Sequence, residues 1–122
     1  MKSTHKGIAR IIYAFKYSLE GLVSVFKSES AFRQDILLCI CALLIQFVID
    51  VPIYSRIIMV ASLLFIIIAE LINTAIETII DRIGPEKHPL SKKAKDIGSA
   101  IVMLSITGTV ILWTALIWIA YK

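Results

Sequence analysis

The sequence has little charge for its length, and what it has is unevenly placed. Asp, Glu, Lys and Arg make up 18% of 122 residues, against 58% hydrophobic. That balance argues against an ordinary soluble domain and for hydrophobic spans in place of a buried globular core. Cysteine is nearly absent. Cys39 and Cys41 fall in one apolar run and lie too close along a helix to bond to each other, so a disulfide scaffold is excluded. They read as small apolar fillers, not as a Cys-x-Cys metal site. No G-x-x-x-x-G-K-[ST] and no G-x-G-x-x-G occurs, so any nucleotide site is unrelated to the common nucleotide-binding folds. The first 30 residues lack an early continuous apolar core and are not expected to act as a secretory signal.

The net charge of +4 would suit nucleic acid, but its placement suits a membrane. Six of the 13 Lys and Arg residues lie in 1–34 and five more in 82–95, the asymmetry of basic segments kept on the cytoplasmic side. Nucleic acid is therefore not expected as a partner. Ile8, Ile11, Ile12, Phe15, Leu19, Leu22, Val23 and Phe26 recur at helical steps, with Lys6, Arg10, Lys16, Glu20 and Lys27 between them. This predicts a surface helix over about residues 6–28, lying in the cytoplasmic interface. Three spans follow, over about residues 35–50, 56–80 and 92–120, with Ser91 expected as N-cap of the third. Asp50-Val51-Pro52 marks one turn, and Gly84, Pro85 and Pro89 mark the other. Trp113, Trp118 and Tyr121 fall near the far end as interfacial anchors. The expected protein is an all-α, single-domain membrane protein with its amino terminus cytoplasmic and its carboxyl terminus outside.

Within the second span the run AELINTAIETIIDR places Glu70, Asn73, Glu77 and Asp81 on one helix face, since 100° per residue leaves Glu70 and Glu77 only about 20° apart. Glu77 lies about 6 Å and Glu70 about 16 Å along the axis from Asp81, so the stripe descends from the border into the bilayer. A carboxylate there costs on the order of 2.5–3.5 kcal/mol even by the lenient insertion scale. Such groups sometimes only bond helices together, but two acids and an amide in register exceed what packing requires. Nearby cytoplasmic segments add Glu29, Glu86, His88, Lys95 and Asp96. Carboxylates without cysteine or paired histidines suit a hard ion such as Mg²⁺, and lysines with Arg82 at the same level suit phosphate.

The segments AELINTAIETIIDRIGPEKHPLSKKAKDIGSA (69–100), AFRQD (31–35) and RIIYAFKYSLEGL (10–22) resemble the bacterial integral-membrane diacylglycerol kinases, closer to the proteobacterial type than to the Gram-positive undecaprenol kinases. The resemblance implies a homotrimer in the bacterial inner membrane. It also implies transfer of the ATP γ-phosphate to the primary hydroxyl of diacylglycerol, giving phosphatidic acid. On the matching positions, Glu70 would be the general base and Asn73 its support. Glu29 and Glu77 would bind Mg²⁺, and together with Arg10, Tyr17, Glu86, Lys87, His88, Lys95 and Asp96 would contact ATP. Lipid contacts would come from Arg10, Ala31, Phe32, Arg33, Gln34, Asp35, Glu70, Ser99 and Trp113. The Lys87-His88-Pro89 stretch departs in side chains that flank the nucleotide.

The chemistry of the residues agrees. Phosphoryl transfer needs positioning, charge neutralisation and a group to take the hydroxyl proton. A lipid hydroxyl stays at headgroup depth, so the base must be carried to it. Both diacylglycerol and undecaprenol present a primary hydroxyl, and the residues alone do not choose between them. A small proton-coupled transporter is the rival from another class, because intramembrane glutamates relay protons, but it has no need of the Glu29, Glu77, Lys95 and Asp96 cluster.

Overall fold

The computed structural model describes residues 6–122, which form four helices: α1 (Ile8–Ser28), α2 (Ser30–Val48), α3 (Ile53–Ile83) and α4 (Pro89–Tyr121). Among the described residues, α2, α3 and α4 are long and apolar enough to cross a membrane. At 1.5 Å per residue α2 reaches about 28 Å, close to the hydrocarbon thickness of about 30 Å. It does so because the helix begins at Ser30. The run AFRQD therefore forms its opening turns, and the short uncharged stretch is completed from that side.

Helix α3 is the centre of the bundle. Its buried positions Met59, Ser62, Leu63, Ile66, Ala69, Glu70 and Thr74 recur in steps of three and four, the stripe expected of a helix with one packed face. Helix α4 packs antiparallel along it and α2 packs on part of its length. The cysteine thiol of Cys39 on α2 donates to the Leu63 carbonyl at 3.8 Å. By contrast α1 contributes no buried residue, and its apolar stripe is exposed, Ile8 at 77% and Phe15 at 66%.

The connections are short and tied by side chains. Only Glu29, in extended conformation, separates α1 from α2. The guanidinium of Arg33 donates to the carbonyls of Phe26 at 2.7 Å and Lys27 at 3.1 Å, which satisfies orphan acceptors at the end of α1 and sets the angle at which α1 leaves. At the other end of α2, Arg56 donates to the carbonyls of Gln46 and of Ile49, the latter at 2.7 Å. The Tyr121 hydroxyl accepts the Asp50 amide at 2.7 Å, so the end of α4 is fastened to the α2–α3 turn.

Two boundaries differ from the sequence reading. The last helix starts at Pro89, and its N-cap is His88, not Ser91: His88 Nδ1 accepts the Leu90 amide at 3.1 Å. Proline is suited to the first helical turn, where its missing N–H is not needed, so Pro89 opens this helix instead of interrupting the chain before it. Helix α3 ends at Gly84, whose φ of 157° and closeness to the Glu86 carboxylate, 2.8 Å from where a Cβ would stand, leave no easy place for a side chain.

Candidate active site

The polar stripe of α3 runs from buried to exposed. Glu70 is 6% exposed, Asn73 and Glu77 are half-buried, and Asp81 is exposed. Asn73 Nδ2 donates to Glu77 Oε1 at 3.4 Å. Asp81 accepts Lys95 Nζ from α4 at 3.2 Å, while Lys92 pairs with Asp96 at 2.6 Å. Asn73 is pressed against Gly98 of α4, where any Cβ would run into its Oδ1. The backbones of α3 and α4 therefore meet most closely beside the stripe.

Glu70 is not alone. Asp35 of α2 faces it closely, and Asp35, Glu77 and Glu29 all act on it through their charge. Two helices, α2 and α3, and the α1–α2 hinge thus bring four carboxyl groups to one region. Glu29 is half-buried at the start of α2, yet its side chain makes no capping hydrogen bond, which leaves its oxygens free for a ligand.

Two cavities flank this region. The first, of about 350 Å³, is an apolar groove walled by α2, α3 and α4; Asp35 stands among its lining, which extends to Trp113 and Ile117. The second, of about 840 Å³, surrounds the α3–α4 connection and is lined by Asp81, Glu86, Lys87, His88, Lys95 and Asp96, among others. Every residue expected from the connection to contact a nucleotide lies on this second cavity. Along α3, Glu70 falls between Ile66 of the apolar groove and Ile80 of the second cavity.

Other expected residues are placed elsewhere. Arg10 and Tyr17 are exposed on α1, a helix that packs appreciably only on α2. In the segment 31–35, Phe32 is buried at 2%, Arg33 is engaged with the end of α1, Ala31 and Gln34 are exposed, and Asp35 is half-buried. Ser99 is exposed next to Gly98, and Trp113 is half-buried on the groove.

Among the described residues no three His, Cys, Asp or Glu side chains converge as a metal cage. The donor set nonetheless fits Mg²⁺ arriving with a nucleotide, because that ion is ordinarily held by one or two carboxylates, with phosphates and waters completing its octahedron. Glu29 and Glu77 are two such carboxylates, both half-buried near Glu70.

Asp35 is expected from the sequence as a lipid contact, but its closeness to Glu70 is not, and Ser62, which accepts a hydrogen bond from Trp113, is not singled out there. The signal for Ser62 was slight: one hydroxyl in the charge-free run Ile57–Ala69, in phase with Glu70 and Ala69. The role of Arg33 at the end of α1 had no signal, since it depends on the hinge angle.

Comparison with known proteins identifies the family. The family model described as prokaryotic diacylglycerol kinase matches residues 16–117. The chain is 41% identical over 118 residues to a protein from Escherichia coli K12 named diacylglycerol kinase, covering 97% of each. It is 41% identical over 111 residues to one of that name from Pseudomonas aeruginosa, covering 91% of this chain and 90% of the other. A Haemophilus influenzae protein, also so named, is 39% identical over 112 residues, covering 92% of this chain and 95% of the other. The matched segment takes in the whole polar stripe and the linings of both cavities, and the chain belongs to the prokaryotic diacylglycerol kinase family.

Proposed function

We propose that this protein is a lipid kinase that transfers the γ-phosphoryl group of ATP to the primary hydroxyl of diacylglycerol. The observation that carries this reading is the position of Glu70: a buried carboxylate between an apolar groove on one side and a polar, lysine-lined cavity on the other. The acceptor's acyl chain lies in the groove with its hydroxyl beside Glu70. ATP approaches from the second cavity, where Lys95, Lys87 and His88 meet its phosphates and Glu86 and Asp96 meet its polar groups.

Glu70 takes the hydroxyl proton as the acceptor oxygen attacks the γ-phosphorus. The new P–O bond forms as the bond to the β-phosphate oxygen breaks, so the products are phosphatidic acid and ADP. Asn73, bonded to Glu77, keeps that carboxylate turned toward the nucleotide. Glu29 and Glu77 would hold Mg²⁺, which would neutralise phosphate charge when bound. The remaining catalysis is positioning, as expected for phosphoryl transfer. Burial of Glu70 excludes water, which would otherwise compete for the phosphoryl group.

The setting follows from the same residues. The basic segments 1–34 and 82–95 support a nucleotide cavity on the cytoplasmic side of the inner membrane, with the amino terminus there and the carboxyl terminus outside. The exposed apolar stripe of α1 rests on that surface. The chain assembles as a homotrimer, which covers part of the lipid-facing surface of α2 and α4 and supplies α1 residues to a neighbour.

Incubating membranes that contain the protein with γ-labelled ATP, extracting the lipids and separating them tests the reading. Labelled phosphatidic acid is the expected product, formed in preference to undecaprenyl phosphate when both alcohols are present in equal amount. Preferential label in undecaprenyl phosphate would reassign the acceptor. Label in neither, with ATP-independent solute flux instead, would favour a transporter.

A further inference from the structure

Ser62 lies in the middle of α3 and takes no part in phosphoryl transfer as described. It is 6% exposed. Its hydroxyl donates to the Met59 carbonyl at 2.5 Å and accepts the indole N–H of Trp113 at 2.8 Å. Thr109, one turn before Trp113, donates to its own Ser105 carbonyl at 2.8 Å and lies 3.5 Å from the Ser62 carbonyl. The hydroxyl therefore has both its proton and a lone pair committed, and the indole, which lines the groove, is fastened to α3 by a residue that does not line it. An indole N–H in hydrocarbon needs an acceptor, and few are available once the backbone carbonyls are bonded in helices.

Depth gives this bond its meaning. Ser62 is eight residues from Glu70, about 12 Å along the helix axis. A lipid whose hydroxyl sits at Glu70 passes Trp113 with its acyl chain, well below the glycerol. We propose that Ser62 is a positioning residue for acyl-chain acceptance: by holding the Trp113 indole against α3 it keeps the lower part of the groove open to long chains. This rests on the lipid-kinase reading of the same groove. Without the hydroxyl the indole is released, and the free space beside it is the groove. A ring swung there obstructs a chain that reaches Trp113 and leaves a shorter chain untouched.

The test uses the full chain in mixed micelles with a series of diacylglycerols from dioctanoyl to dioleoyl. For Ser62→Ala the KM should rise progressively with chain length, by about five- to tenfold at the long end, the size expected for loss of one neutral hydrogen bond. It should stay near wild type for the shortest acceptor, with kcat preserved. Ser62→Thr, which keeps the hydroxyl, should restore the wild-type profile. A second measurement is independent of turnover. With Trp118→Phe, Trp113 is the sole tryptophan, and a bromine-labelled acyl chain should quench it more in the wild-type background than after Ser62→Ala. Should Ser62→Ala fail to fold, the same exchange in a Trp113→Phe background, where no N–H needs an acceptor, should leave the chain-length profile of Trp113→Phe unchanged. A KM rise independent of chain length, no rise at all, or a chain-length penalty persisting without the indole would each overturn the proposal. Failure of the wild-type protein to phosphorylate any diacylglycerol would instead overturn the kinase reading.

Discussion

Replacing Gly98 by alanine should have opposite effects depending on what occupies position 73. Gly98 is buried on α4 against the polar stripe. A Cβ there would make ordinary contacts with Asn73 Cγ at 3.4 Å and Ile76 Cδ1 at 3.5 Å, while colliding with Asn73 Oδ1. The conflict is thus with one amide oxygen, and that oxygen is buried without a hydrogen-bond partner. Turning the amide aside to admit the methyl moves Nδ2 away from Glu77. Overpacking of this kind costs about 1–3 kcal/mol, offset by the roughly 0.5–1 kcal/mol that alanine gains over glycine inside a helix. Gly98→Ala in the wild-type background should therefore be neutral to destabilising by about 2 kcal/mol.

In an Asn73→Ala background the obstacle is gone, and the helix gain alone should remain, so that Gly98→Ala becomes stabilising. Unfolding in mixed micelles titrated with dodecyl sulfate, on the two single variants, the double variant and the wild type, measures the coupling directly. Its expected size is about 1–3 kcal/mol. The kinase assay supplies a second axis: Gly98→Ala should raise the apparent KM for Mg-ATP by loosening Glu77, and should have no further effect once Asn73 is alanine. Additivity within about 0.5 kcal/mol, or a KM effect persisting without Asn73, would refute the reasoning.

Other outcomes follow from the same geometry. Glu70→Gln should leave a folded, membrane-inserted protein with turnover reduced at least about 100-fold; retention of more than about a tenth in the labelled-ATP assay would remove the general-base role. Glu29→Ala and Glu77→Ala should each weaken use of Mg-ATP, and the double variant should be little worse than either, as for parts of one unit; multiplicative losses at saturating lipid would assign them to separate sites. Subunits carrying Glu70→Gln, refolded together with subunits carrying Glu29→Ala, should regain activity if Glu29 serves a neighbour's Glu70, whereas a mixture as inactive as its components would place both glutamates in one chain's site.

Much of this was legible in the residues because a bilayer narrows the choices. Charge-free runs must be helices there, and the acids that interrupt one of them show their common face by spacing alone. What was not legible depends on how one helix is rotated or angled against another. Asp35 sits at the edge of an apolar run, and nothing in its neighbours says that it faces Glu70 across the α2–α3 contact. From the sequence His88 is expected as a nucleotide contact. Its capping of α4 was hidden because Ser91 offers the commoner capping side chain three residues later. Arg33 reads as a basic residue at a membrane border until the hinge at Glu29 folds the last carbonyls of α1 onto it.

That hinge bears on where the residues of α1 can act. Arg10 lies 19 positions before Glu29, a rise of about 28 Å along a straight helix. Helix α1 leaves the hinge without packing appreciably on α3 or α4, the helices that carry the polar cavity. The Arg33 guanidinium opposes free swinging, because folding α1 onto the stripe would break two charge-assisted hydrogen bonds to its terminal carbonyls. Arg10 and Tyr17 are thus poorly placed to reach a nucleotide above their own α3. Glu29, at the hinge itself, is within electrostatic reach of its own Glu70. Apart from Glu29 and Glu77, the geometry of a single chain therefore divides the expected nucleotide residues into two sets: those around the α3–α4 connection, already assembled, and those of the outer part of α1, held at a distance. A neighbouring subunit's cavity is the natural destination for the second set, so the shared-site proposal rests more firmly on α1 than on the glutamates.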